Sequence, residues 1–185
     1  MNAHCPGFDL TTHYRRYNYP SEKMKIFRLM LVMAVGFPVL SGKEIQKSTL
    51  KLSGCPIQGY KAWFKVGPYC AQHFHQSLGF GKAELRCRGE HADGHLISVH
   101  NGKMNDELKT LTGSWYSEAW IGGYKIPCTN DFAWTDGSKW DYHNWVPGQP
   151  DGSSDCVQIN WHTPGMFDDA DCCDQRSYVC AFLIK

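Results

Sequence analysis

Two sets of residues carry most of the chemistry open to this chain: nine cysteines, and a group of side-chain oxygens between residues 149 and 169. Thiols at this density form disulfides in an oxidising compartment or bind metal. No C-x-x-C pair occurs, and the neighbours Cys172 and Cys173 are poorly placed to face one tetrahedral zinc ion together. Disulfides are therefore the expectation. The oxygen donors are the Gln149 amide and the carboxylates of Asp151, Asp155, Asp168 and Asp169. Calcium takes six to eight oxygens at about 2.3–2.6 Å, and donors of this type suit it. Four such carboxylates held close together would repel one another unless a cation neutralised them. The plainer alternative is that Asp, Pro and Gly here are ordinary turn residues.

Other chemistries find less support. If all domain cysteines pair, no thiol nucleophile remains, and no Ser-His-Asp triad can be read from scattered residues, so the expectation is a protein that is not an enzyme. Nine histidines are present, but His73, His75, His91 and His95 show no convincing metal-ligand spacing and read as surface or turn residues. His162, beside Trp161, is the exception worth testing. Net charge is +1 with Lys and Arg scattered, which argues against nucleic acid as a partner. The absence of an N-x-[ST] acceptor argues against N-glycosylation.

The elements that must position these groups begin after a leader. Met24 opens a short basic segment, Leu29 to Leu40 is apolar, and Ser41 and Gly42 follow, which is the layout of a signal peptide. Twelve apolar residues are short of the ~20 needed to span a bilayer. Two readings stand for the residues before Met24: an upstream alternative to a true start at Met24, which is preferred, or a type II anchored chain with a short span. Residues 1–42 are thus read as N-terminal extension plus signal peptide, 43–54 as a linker, and 55–185 as the folded domain. Dropping Cys5 with the leader leaves eight cysteines, an even number.

Within the domain, the aromatic segment from Cys55 to Tyr69 reads as one or two strands. Ser77 to Arg88 is expected as a helix with Phe80, Ala83, Leu85 and Cys87 facing inward. His91 to Gly94 is a turn, and Leu96–Val99 an extended segment. Asn101 caps a second helix, Lys103 to Leu111, which stops before Gly113. Segments 119–123, 132–134, 157–161 and 178–182 are strand-like. Between Asp136 and Ser154 no period of 2 or 3.6 survives, and a loop that long inside a compact domain tends to be functional. Two helices followed by short strands give an α+β architecture.

Trp120-Ile121-Gly122-Gly123, Gln149-Pro150-Asp151, Phe167-Asp168-Asp169 and the pair Cys87 and Cys180 occur in an order and spacing that resemble the C-type lectin-like domain, across residues 55–185. Cys128 and the Cys172-Cys173 pair are similar to features of soluble fish lectins and the related type II antifreeze proteins. The resemblance implies two helices, two small antiparallel sheets and a long irregular loop region, stapled by Cys55–Cys70, Cys87–Cys180, Cys156–Cys172 and, by remainder, Cys128–Cys173. It also implies a Ca2+ site held by Gln149, Asp151, Asp168 and Asp169, with Pro150 cis. Asp155 enters as a substitute, because Ser154 stands where the family usually has Glu. The Trp-Asn-Asp motif of the family is Phe167-Asp168-Asp169 here.

In this family Gln-Pro-Asp goes with galactose-type sugars, so Gln149, Asp151 and Asp168 are expected to hold sugar, with Trp161 as a stacking platform. Trp145 is read as a core anchor beneath the loop. The implied function is a secreted, calcium-dependent, galactose-type lectin acting in defence on microbial or cell-surface glycans. No membrane attachment is expected in the mature form, and clustering would be needed for avidity. An ice-binding protein on the same fold and a lectin-like protein-binding module are the alternatives.

Overall fold

The computed structural model describes residues 50–113 and 117–185. The expected leader over 1–42 and the first part of the expected linker lie outside the described residues. Among the described residues no helix is long and apolar enough to cross a membrane. Ser53 and Gly54, at the end of that linker, already join the sheet. Lys65 N donates to Ser53 O at 2.8 Å, and Gly54 bridges Phe64.

The elements in chain order are β1 (Phe64–Val66), β2 (Tyr69–Leu78), α1 (Phe80–Glu90), β3 (His95–Leu96), α2 (Gly102–Thr112), β4 (Ala119–Lys125), β5 (Phe132–Trp134), β6 (Cys156–Ile159), β7 (Phe167–Ala170) and β8 (Arg176–Leu183). The second helix forms as its signals dictate. Asn101 accepts a hydrogen bond from Met104 N at 2.9 Å, satisfying an otherwise orphaned donor, and the chain turns out through Gly113 at φ 82°. The first helix starts later than expected, because β2 runs on to Leu78 before Gly79 releases the chain. Its inward face is Phe80, Ala83, Glu84 and Cys87, the i, i+3, i+4, i+7 stripe. Leu85, expected inward, lies off that stripe and is 68% exposed.

The strands run in the order β1-β2-β8-β4-β6-β7, with β3 on β8 and β5 on β4. The two antiparallel groups expected are present. A short parallel contact, Ala119 opposite Ser177 and Trp120 opposite Tyr178, joins them into one mixed sheet. One core cluster includes Ile97, Leu108, Ile121, Trp134 and Phe167. The other gathers Phe80, Trp120, Tyr178 and Phe182. Gly122 and Gly123 are required where β4 is most crowded. A Cβ at Gly122 would lie 2.6 Å from Leu96 O, and one at Gly123 2.7 Å from the Val157 side chain.

Three of the four implied disulfides form. Cys55–Cys70 ties the N-terminal segment to β2, Cys87–Cys180 ties α1 to β8, and Cys156–Cys172 ties β6 to the turn after β7. Cys128–Cys173 does not form. Cys128 is free and exposed in the β4–β5 turn, where it takes a left-handed φ of 64°, and Cys173 is disulfide-bonded without it. An even count constrains how many thiols pair; it does not say which.

Candidate functional site

The site is built on the β6–β7 hairpin. Its register sets Gln158 opposite Asp168 and Val157 opposite Asp169. Successive strand residues face opposite sides of a sheet, so the two neighbouring aspartates do different things. Asp168 is buried and turns to Gln158, whose Nε2 donates to Asp168 Oδ2 at 2.7 Å. Its other oxygen, Oδ1, is buried with no hydrogen-bond partner among the described residues, and so is Gln158 Oε1. Burial raises the Asp168 carboxyl above the usual carboxylate range, and the charges of Asp169 and Asp151 add to the rise.

Asp169 gathers the loop instead. Its Oδ1 accepts from Asp151 N at 3.1 Å and its Oδ2 from Ser154 N at 3.1 Å. The Gln149–Pro150 bond is cis, and Gln149 Oε1 accepts from Asp151 N at 2.8 Å. Asp151 Oδ1 accepts from Ser153 N at 2.8 Å, and bonds from Ser153 and Gln149 hold the exposed Asp151 carboxyl below its usual range. Gln149, Asp151 and Asp169 are thus brought together by hydrogen bonds, while Asp168 turns to Gln158 on the other face of the hairpin. None of these carboxylates, nor Asp155, forms an ion pair among the described residues.

Neither Asp155 nor Trp161 makes a side-chain hydrogen bond to this loop among the described residues. Asp155 is exposed, and its backbone carbonyl accepts from Lys125 N at 2.7 Å. Trp161 lies in the turn beyond the Ile159–Phe167 end of the hairpin, at the opposite end from Ser154. It packs edge-on against His162, and Asn160 pins that turn to Thr112 and Ser117. Trp145 is an anchor, as expected. It packs on Phe132 at 5.1 Å and Phe167 at 6.1 Å, while Phe167 N donates to Asn144 O and Val146 N to Phe167 O.

The start of the loop is held by residues that spacing did not single out. Asp136 accepts from Ser98 Oγ at 2.6 Å, from Tyr69 OH at 3.3 Å, and from both the backbone and hydroxyl of Ser138. Burial alone would raise its carboxyl, but these bonds outweigh that and leave it low. His100 lies between Ser98 and Asp141, at 3.1 and 2.8 Å, which has the outline of a catalytic triad. Ser98, however, is 1% exposed and gives its proton to Asp136 over the shorter contact, so the cluster acts as a clasp.

A cleft beside Asp151 is lined by Lys125, Asn130, Phe132, Pro150, Asp151 and Gly152. Among the described residues no three His, Cys, Asp or Glu side chains stand close enough to hold an ion by themselves. A cation shell at this site would have to include the Gln149 amide and would draw the Asp151 carboxylate away from Ser153. The Gln149 amide, the neighbouring carboxylates of Asp151 and Asp169 and the second oxygen of Asp168 are ligands of the kind a hard cation takes.

Residues 76–182 match the family described as Lectin C-type domain. The chain belongs to that family. A lectin of Pleurodeles waltl is 34% identical over 106 residues, 54% of this chain and 62% of that protein. The versican core protein of Rattus norvegicus is 34% identical over 122 residues, 64% of this chain and 4% of that one. The chain thus spans less than two thirds of the first relative and a small fraction of the second. The herring type II antifreeze protein structure shares the C-type lectin fold, with a TM-score of 0.64 and 26% identity over 71% of this chain and 100% of that one. Within this lectin domain, the loop from Asp136 to Ser154 is irregular and clasped at both ends, at Asp136 and at Asp169.

Proposed function

We propose that this chain is a secreted, calcium-dependent lectin of galactose-type specificity that recognises glycans on microbial or cell surfaces, in defence. The observation that carries the cation half of this reading is the buried Asp168 carboxylate, with one oxygen unpartnered, beside the Asp169 and Asp151 charges that raise it further. Gln149, Asp151, Asp168 and Asp169 are the residues that would hold calcium, with Asp155 as the substitute for the Glu expected at Ser154. The ion, when bound, supplies coordination positions for two vicinal sugar hydroxyls. The side chains of Gln149 and Asp151 orient those hydroxyls by hydrogen bonds, and their Gln-Pro-Asp order supports galactose. Trp161, by its position at the far end of the hairpin, is a weaker stacking candidate than its nearness in sequence implied. Secretion is supported by the disulfides Cys55–Cys70, Cys87–Cys180 and Cys156–Cys172 and by the Met24 leader pattern.

Calorimetric titration of the chelator-stripped chain with Ca2+ tests the cation half. One site is expected, and Asp169→Ala, which also removes the tether of the loop, should abolish it. Undiminished calcium binding by that variant would refute the placement. Ice binding is the second reading, favoured by the likeness to the herring antifreeze structure. Ice-crystal shaping by a sample that binds no galactose would establish it.

A further inference from the structure

We infer that β2 carries a second metal site, of a different kind: a two-histidine chelate, His73 and His75, for a divalent transition ion such as Cu2+. The pair lies on β2, four places along the sheet order from β7, and shares no residue with the calcium loop.

The geometry has three parts. Residues two apart on a strand project to the same face, and the His73 and His75 rings lie with centroids 4.4 Å apart. The ladder with β8 is regular from Tyr69 to Phe74 and then shifts before Leu78, so His75 stands in the irregular stretch where its side chain can adjust. His73, by contrast, is fixed. Its Nε2 lies 3.0 Å from Ser177 Oγ, and Ser177 donates its single hydroxyl proton to Glu118 O at 2.8 Å. Ser177 can then only accept from His73, so Nε2 carries the ring proton and Nδ1 keeps its lone pair. No hydrogen bond among the described residues uses that lone pair.

Such an arrangement is the support a metal-bound histidine has elsewhere: one nitrogen donating to a fixed oxygen, the other aimed at the ion. Imidazole pairs select Cu2+, Ni2+ or Zn2+ over calcium, and Cu2+ binds tightest in that series. No third His, Cys, Asp or Glu completes the set among the described residues, so water would fill the remaining positions.

The test uses the full chain, stripped by chelator and kept in excess Ca2+ so that oxygen sites are filled, then titrated with Cu2+ by calorimetry and read by electron paramagnetic resonance. The expected result is one tight site with two ring nitrogens on the copper. His75→Gln, at an exposed position, should weaken it at least about tenfold, and Ser177→Ala by about tenfold with the fold intact by circular dichroism. His143→Gln and His162→Gln serve as controls and should change nothing. Wild-type affinity in His75→Gln, or a copper spectrum with a single ring nitrogen, would overturn the assignment.

Discussion

Asp168 and Asp169 are neighbours in sequence and opposites in the fold. Asp169 satisfies both its oxygens with loop backbone, whereas Asp168 is sealed against Gln158 with one oxygen of each side chain unmet. Leaving a buried polar atom unpaired costs about 1–3 kcal/mol. Asp168→Asn removes the charge and supplies an amide donor for Gln158 Oε1, so it should stabilise the calcium-free domain by an amount of that order while weakening calcium binding. Thermal melts in chelator check the first effect; a lower melting temperature would contradict it. The pH dependence follows the same logic. Because the folded-state value of Asp168 is raised, its contribution to stability is fully present below the unfolded value of 3.8 and is lost as pH rises through the folded value. Asp168→Asn should abolish that part of the profile. Asp136 has the opposite sign: its stabilisation is present above 3.8 and is lost as pH falls through its lowered folded value.

At the scale of elements, the clasp and the hairpin hold the loop between them. Asp136→Asn should loosen its start and destabilise the domain by about 1–3 kcal/mol, because Ser98 and Tyr69 lose a charged acceptor. Hydrogen exchange over residues 136–146 would rise, and unchanged protection there would rule out the clasp. The bridges differ in reach. Cys87–Cys180 closes a separation of 93 residues, Cys156–Cys172 one of 16. Loop entropy assigns about 4–5 kcal/mol to the first and about 3 to the second. Removing Cys156–Cys172 should therefore lower calcium affinity disproportionately to its effect on denaturant midpoint. Helix α2 was legible because Asn101 and Gly113 mark its ends by local chemistry. The extension of β2 was not, since Gln72 to Ser77 is polar apart from Phe74 and pairing with β8 is what draws it into the sheet. Strand β7 was hidden similarly, as adjacent aspartates disfavour strands outside this pairing. The Asp136 clasp joins residues 29 to 67 positions apart along the chain, beyond what spacing can reveal.

For the molecule as a whole, the family resemblance carried the fold and the order of the motifs, and residues 76–182 match that family. It did not carry the pairing of Cys128, or the separation of Trp161 from the loop. The proposed lectin function requires that the Gln149-Pro150-Asp151 loop, tied down by Asp169, bind galactose through calcium. Chromatography on galactose-agarose tests it most directly. The wild-type chain should be retained in calcium and released by chelator, and Asp151→Ala should pass through unretained although its melting temperature is close to wild type. Retention in chelator, or undiminished retention of Asp151→Ala, would contradict calcium-dependent galactose binding at this loop.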